Sequence, residues 1–420
     1  INQQKKLGVP WFATVSTATV HTPMQVPPVN TLPADAEDAN GVDPESVPGR
    51  LLIANQMIQA MDSEFGRLLV STGLAKKVGS KLVLTAASAN TTVIYVNDNG
   101  SLGSQVREPF DPERAKGTPY QTGVWTPMVV AGASVFTPGK DVNAMVNIAD
   151  LYELIGNIGG VDVRAGNPRT IDSVPMAPYF VNPNLSSLRK YDFTLVGPNL
   201  QANNGINGPC QFASACSQIP VTKGVCEDNG GIWFGAGATG TYPTGSTQSQ
   251  IPSEGFTYCC QVQAWIAQNG GTPLTVVPET GIAVRDNSGF KLVRNLLNDY
   301  DPSSATGCTQ KSYDELYVVN QNVPVPLIDR EQLLIPTPYT NVQQAKYNEL
   351  KSYMNKTLAS EPDCPGDGND DGVVNAEDLA NYDAMAKLTS NSSWYDINLD
   401  GYTNTADRQI LVQNLGRRCK

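Results

Sequence analysis

Histidine is all but missing: His21 is the only one in 420 residues. A Ser-His-Asp or Cys-His catalytic group would have to be built on it, and no G-x-S-x-G elbow accompanies it. Zinc held by histidines is excluded for the same reason. His21 reads as an ordinary strand residue. Cysteine occurs eight times but never as C-x-x-C, so neither that zinc spacing nor that redox pair is encoded. Basic residues are short as well, 29 against 40 acidic ones, for a formal net charge of −11. Without a basic stripe to neutralise phosphates, no nucleic-acid partner is expected. No apolar run approaches the ~20 residues of a membrane helix, so no membrane span is expected. Aromatics make up only 7% of the chain, which weighs against a cleft lined with sugar-stacking rings.

Carboxylates are plentiful, and one pair invites a catalytic reading. Asp150 and Glu153 share a predicted helical face, and glycoside hydrolysis needs two acids at a fixed separation. A solvated helix face is the plainer reading. Gly235-Ala-Gly237-Ala-Thr-Gly240 matches G-x-G-x-x-G, yet it runs into Thr-Tyr-Pro-Thr-Gly instead of a helix. Without that helix the dinucleotide fingerprint lacks its context, and a glycine loop is expected. No residue is assigned a catalytic role.

What is present lies near the C-terminus. Asp367-Gly-Asn369-Asp-Asp371-Gly372-Val-Val374-Asn375-Ala-Glu-Asp378 is followed by Asp396-Ile-Asn398-Leu-Asp400-Gly401-Tyr402-Thr-Asn404-Thr-Ala-Asp407. Each matched position lies 29 residues from its twin, as Asp367 does from Asp396. Ca²⁺ takes about six to eight oxygen ligands, and a twelve-residue loop supplies them at positions 1, 3, 5, 7, 9 and 12. In the first loop these are Asp367, Asn369, Asp371, the carbonyl of Val373, Asn375 and Asp378. In the second they are Asp396, Asn398, Asp400, the carbonyl of Tyr402, Asn404 and Asp407. Position 9 often acts through a water. Position 6 needs a sharp turn, which Gly372 and Gly401 supply. Each loop is expected to run into a helix, marked by Leu379, Tyr382 and Ala386 in the first and by Leu411 and Leu415 in the second. A single copy could be a solvated turn; two copies with one ligand spacing point to two Ca²⁺ ions.

This duplicated D-x-N-x-D-G-x-x-N-x-x-D loop, with a helix after each copy, resembles the type I dockerin family over Cys364 to Cys419. The resemblance implies a small all-α domain with paired EF-hand-type calcium loops and a cohesin-like module as partner. Dockerins often carry Ser-Thr at loop positions 10 and 11; this chain has Ala376-Glu377 and Thr405-Ala406. Such helix-loop duplications bring their ends together, which implies a Cys364–Cys419 disulfide. Pairing of each with a cysteine elsewhere is the alternative.

The remaining chain divides by composition. Residues 1–42 form an N-terminal arm and Pro-rich tether. In it, residues 1–10 are polar and expected to be mobile, and Trp11 to Thr22 is β-branched enough for a strand. Residues 43–205 read as an α+β body. A long helix spans Leu51 to Leu69, strands cover 81–86, 92–96, 128–136 and 192–196, and a second helix covers 142–155. Residues 206–310 hold Cys210, Cys216, Cys226, Cys259, Cys260 and Cys308. This Cys/Gly-rich region is expected to be stapled by disulfides, in one of fifteen connectivities, with little core of its own. Residues 290–297 look helical. Residues 311–360 complete the body with an extended segment, 316–327, and a helix, 342–358, whose wet face carries Lys346, Glu349 and Lys351. Residues 361–420 form the calcium domain. Helices and strands alternate without βαβ regularity, so the fold class is α+β plus the small all-α unit.

Calcium loops and persistent disulfides both belong outside the cytosol. An extracellular or cell-surface site is therefore expected, with a leader removed before Ile1. Two function classes follow. One is a secreted, calcium-binding structural or adhesive protein, including a self-assembling filament subunit whose arm adds as a strand to a neighbouring subunit; the plainer reading of the arm is that it joins a sheet in its own body. The other is a dockerin-tagged extracellular hydrolase of glycans or esters, attached to a cohesin scaffold.

Overall fold

The computed structural model describes residues 1–21, 23–44, 46–107, 110–165, 171–196, 208–212, 214–217, 222–228, 230–256, 258–278, 280–304, 307–319, 331–334, 338–360, 364–368, 371–388, 397–398 and 404–419. It is a mixed α and β structure with four disulfides.

Its centre is a five-stranded antiparallel sheet. In spatial order the strands are Glu331–Leu334, Cys308–Val319, Phe290–Tyr300, Thr280–Asp286 and Tyr191–Val196. The sheet therefore draws its strands from both sides of residue 205 and of residue 310. Residues directly opposite in such a sheet share a face. One register row is Phe193, Val284, Leu292 and Leu316. It meets the helix Asn341–Ser360, whose Leu350 and Met354 are fully buried against it. The next row is Asp192, Arg285, Lys291 and Tyr317, on the opposite face. There Tyr120, Ala283, Val293 and Tyr317 form a second, smaller core.

Residues 290–297 are thus strand, not helix. They form the middle of the sheet, buried on both faces, so the period-two alternation that marks a half-buried strand is erased. The face of the 341–360 helix expected to be wet is half-exposed, and its charges also make ion pairs. Lys346 reaches Asp286 at 2.8 Å and Glu349 at 3.0 Å. Glu349 accepts from the Tyr191 hydroxyl, and Lys351 lies 3.3 Å from Asp314. These charges rim the helix–sheet seam and hold the sheet.

The long helix spans Val47–Ser71, with the Ser46 side chain accepting the Gly49 N–H at its start. After it, Ala75–Val78 pairs with Lys81–Leu84, and Thr92–Val96 pairs with Met128–Gly132. The strands at 81 and 92 are therefore sequence neighbours in separate sheets. The helix expected at 142–155 is Asp150–Ile158 instead. The Asp150 carboxylate accepts the N–H groups of Asn147 and Val174 and pairs with Arg189, so the approach to the helix is drawn into a loop. Asp150 and Glu153 are buried, not solvated; Glu153 pairs with Arg164 at 2.7 Å.

The N-terminal segment differs from expectation twice. Residues Asn2–Leu7 form a short helix held to the end of the long one, Lys5 Nζ lying 2.5 Å from the Thr72 carbonyl. Residues 11–21 include no strand. Val20 and Met24 pack on Ile53 and Met57 of the long helix, whereas Phe12 is 71% exposed. With no partner strand the β propensity of this stretch has nothing to pair with.

The cysteine-rich region has a core after all. Trp233, Phe234, Tyr242, Ile251, Val262 and Ile266 bury together around Cys210, Cys216, Cys226 and Cys259. Disulfides join Cys210–Cys226, Cys216–Cys259 and Cys260–Cys308. Cys259 and Cys260 open the helix Cys259–Gln268 and reach separate segments. The glycine loop is packed here: a side chain at Gly235 would meet the Trp233 ring at 2.2 Å. Among the described residues, no helix is long and apolar enough to cross a membrane.

Candidate metal centre

The helices Ala376–Leu388 and Thr405–Asn414 each begin at position 10 of their loop. Position 9 explains the start in both. The Asn375 side-chain oxygen accepts the Glu377 N–H at 2.7 Å, and the Asn404 oxygen accepts the Ala406 N–H at 2.8 Å. An Asn that accepts from the first turn is a helix cap.

Position 12 organises each loop. Asp378 and Asp407 are fully buried. Asp378 accepts the Gly368 N–H at 2.9 Å and the Asn375 N–H at 2.8 Å. Asp407 accepts the Ile397 N–H at 2.7 Å, the Asn398 N–H at 3.1 Å and the Asn404 N–H at 2.9 Å. The bonds from loop positions 2 and 9 are thus repeated across the duplication. In the first loop, Asp367 accepts the N–H groups of Asp371 and Gly372 at 3.1 and 2.9 Å, and Asp371 accepts that of Val373 at 2.9 Å. Gly372 sits at φ 85°, the left-handed turn that position 6 requires. Of the candidate ligands, Asn369, Asp396, Asp400 and Tyr402 lie outside the described residues.

Three ties join the two halves. The Tyr382 hydroxyl donates to the Asn404 carbonyl, Arg408 pairs with Asp383 through two bonds of 2.8 and 3.1 Å, and Val374 exchanges bonds of 2.9 and 2.8 Å with Arg417 and Gly416. Val374, Tyr382 and Leu411 make the small core, flanked by Leu379, Ile397, Cys364 and Cys419. Burial and the nearby Asp407 charge push the Tyr382 hydroxyl up from its ordinary pKa. Cys364 and Cys419 are disulfide-bonded, Cα–Cα 5.7 Å. Asp367 lies beside these sulfurs, but they are spent in the disulfide and offer no thiolate to a soft metal. Nothing in the sequence pattern marked the Asp383–Arg408 pair or the Tyr382 bond; only the packed halves reveal them.

The described candidate ligands of the first loop are oxygen donors alone (Asp367, Asp371, Asn375, Asp378 and the Val373 carbonyl), although the three carboxylates do not lie within 4.8 Å of one another as Asp367 does with the Cys364 and Cys419 sulfurs. Such a set suits a hard divalent cation and not zinc or copper.

No family model matches the sequence, and no curated protein matches it. Among solved structures the chain aligns with the PsFucS1 sulfatase from Pseudoalteromonas sp. at 14% identity and a TM-score of 0.35. The alignment covers 73% of this chain and 42% of that one, so the chain spans less than half of that protein's length. An alignment this loose carries no argument about fold or chemistry.

Proposed function

We propose that residues 364–419 hold two Ca²⁺ ions and that the chain is an extracellular structural or adhesive protein locked by them. One observation carries the reading. Two loops set 29 residues apart repeat the same backbone bonds to the same buried position-12 carboxylate, and each launches its helix at the same step. In the first loop Asp367, Asp371, Asn375, Asp378 and the Val373 carbonyl would hold the ion, with Asn369. In the second, Asn398, Asn404 and Asp407 would do so, with Asp396, Asp400 and the Tyr402 carbonyl. Bound Ca²⁺ supplies the counter-charge that lets these carboxylates converge. Four disulfides support an oxidising, extracellular setting.

The contact made by the whole protein is proposed to be with copies of itself. Residues 11–21 carry β-branched and aromatic side chains without a strand partner, and the central sheet has two edge strands, 191–196 and 331–334. Strand addition of one copy's arm to another copy's sheet edge uses both features. Calorimetric titration of Ca²⁺ into chelator-stripped protein tests the metal reading. Two binding events are expected, one lost in Asp378→Asn and the other in Asp407→Asn. No binding at millimolar Ca²⁺ would overturn it.

A further inference from the structure

The sheet face turned away from the 341–360 helix buries charge. The Lys291 and Glu331 side chains are 3% and 2% exposed, with Nζ and Oε1 2.8 Å apart. They stand on strands separated by a third: the register row through Lys291 passes Tyr317 to reach Leu333, two residues from Glu331. Tyr317 is itself fully buried, and Tyr120 packs edge-on against it. The segment carrying Tyr120 closes the face, and the next backbone N–H, that of Gln121, donates to Glu331 Oε2 at 2.8 Å.

An ion pair removed this completely from water pays a desolvation cost of several kcal/mol per ion. Transfer of one proton from the ammonium to the carboxylate removes both charges. Burial pushes Lys291 toward its neutral form and the neighbouring Arg285 cation acts in the same sense, against the pull of Glu331. Once the proton has moved, the Lys291 amine is a nucleophile 2.8 Å from Glu331 Oε1, against a carboxyl group whose Oε2 already accepts the Gln121 N–H. At 3% and 2% exposure the two side chains have almost no contact with bulk water, which would otherwise favour hydrolysis.

We propose that Lys291 and Glu331 condense to an intramolecular isopeptide bond. The Nζ lone pair attacks Glu331 Cδ, and the Gln121 N–H holds the oxyanion that develops on Oε2. The Cδ–Oε1 bond breaks, and Oε1 leaves as one water carrying two of the three ammonium protons. The third stays on the amide nitrogen. Nothing is oxidised or reduced, and no co-reactant is needed. The product ties edge strand 331–334 to strand 290–300, over the strand between them, by a covalent bond. It is independent of the calcium reading.

Mass spectrometry of the folded, oxidised wild-type chain decides the matter. The expected mass is one water below that of the sequence with four disulfides. Proteolysis is expected to yield a single species joining the peptides of Lys291 and Glu331. A full sequence mass with those two peptides separate overturns the proposal, whatever the variants do. Lys291→Arg keeps a cation but removes the attacking amine, and its mass is expected to show no missing water. A missing water retained in Lys291→Arg would place the condensation elsewhere and also overturn the assignment.

Discussion

Asp378 and Asp407 show what one side chain can organise. Each is fully buried and turns its oxygens onto backbone N–H groups that would otherwise be left without acceptors. Asn in place of either keeps the shape but forfeits charge and one acceptor. The expected cost is the loss of one Ca²⁺ binding event, that of the altered loop, in the calorimetric titration. Asp286 and Asp314 make a separate case about pH. Burial works to raise the Asp286 carboxyl, but Lys346, the Ser288 hydroxyl and the Phe290 N–H outweigh it and hold it below its ordinary value. Burial is likewise outweighed at Asp314, by Arg294, Tyr347 and Lys351. A carboxyl depressed on folding stabilises the native state fully above the ordinary carboxylate pKa, and that contribution is lost as pH falls through the depressed one. The urea midpoint is therefore expected to hold from neutrality to about pH 5 and to drop below about pH 4. Asp286→Asn and Asp314→Asn should each flatten that drop, as chemical denaturation across pH would record.

Elements differ in how openly the sequence announces them. The helix starts at Ala376 and Thr405 were legible because the 29-residue duplication puts the same residue types at the same steps before each of them. The Val47–Ser71 helix was legible over Leu51 to Leu69 from its apolar stripe. Strand 290–300 was not. Phe-Lys-Leu-Val-Arg-Asn-Leu-Leu spaces its leucines as a helix would, and only the strands at 280–286 and 308–319 on its two sides decide the matter. The 142–155 helix was overextended because the loop before Asp150 is held by Arg189 and Val174, far along the chain. The core around Trp233 went unseen because its members are spread thinly among Gly, Ser and Thr, and disulfides gather them. Two elements also carry measurable stakes. Leu350 sits fully buried where the 341–360 helix meets the sheet, so Leu350→Ala is expected to cost about 2–5 kcal/mol in equilibrium unfolding. The Cys364–Cys419 bond closes a separation of 55 residues. In the chain-entropy model its removal destabilises the unit by about 4 kcal/mol. Faster proteolysis of residues 364–419 in Cys364→Ser/Cys419→Ser, with the 341–360 helix still protected, is the expected signature.

At the scale of the whole molecule, the arm and the sheet edges are complementary. Val20 and Met24 pin the arm to the long helix, so whatever lies before them is tethered. The eight residues from Trp11 to Ala18 could reach about 26 Å when extended, enough to lie along a whole strand. Phe12 is 71% exposed within this arm, and Leu195 is 59% exposed on the 191–196 edge. A chain that folded its arm onto its own edge would cover both; among the described residues no strand pairs with either, and the proposed second copy would satisfy the two together. Edge strands left open pair with other chains unless they are blunted. Negative-stain microscopy of purified protein in millimolar Ca²⁺ is expected to show filaments or chains of subunits, and removal of residues 1–18 to leave monomers that keep all four disulfides. Monomers from the intact chain under every condition would overturn the self-association reading, and turnover of a glycan or ester by that monomer would replace the structural reading with a catalytic one. Chelation separates the roles of the two ends: if calcium serves only to rigidify residues 364–419, filaments survive it, whereas their dissolution would make that domain part of the subunit contact.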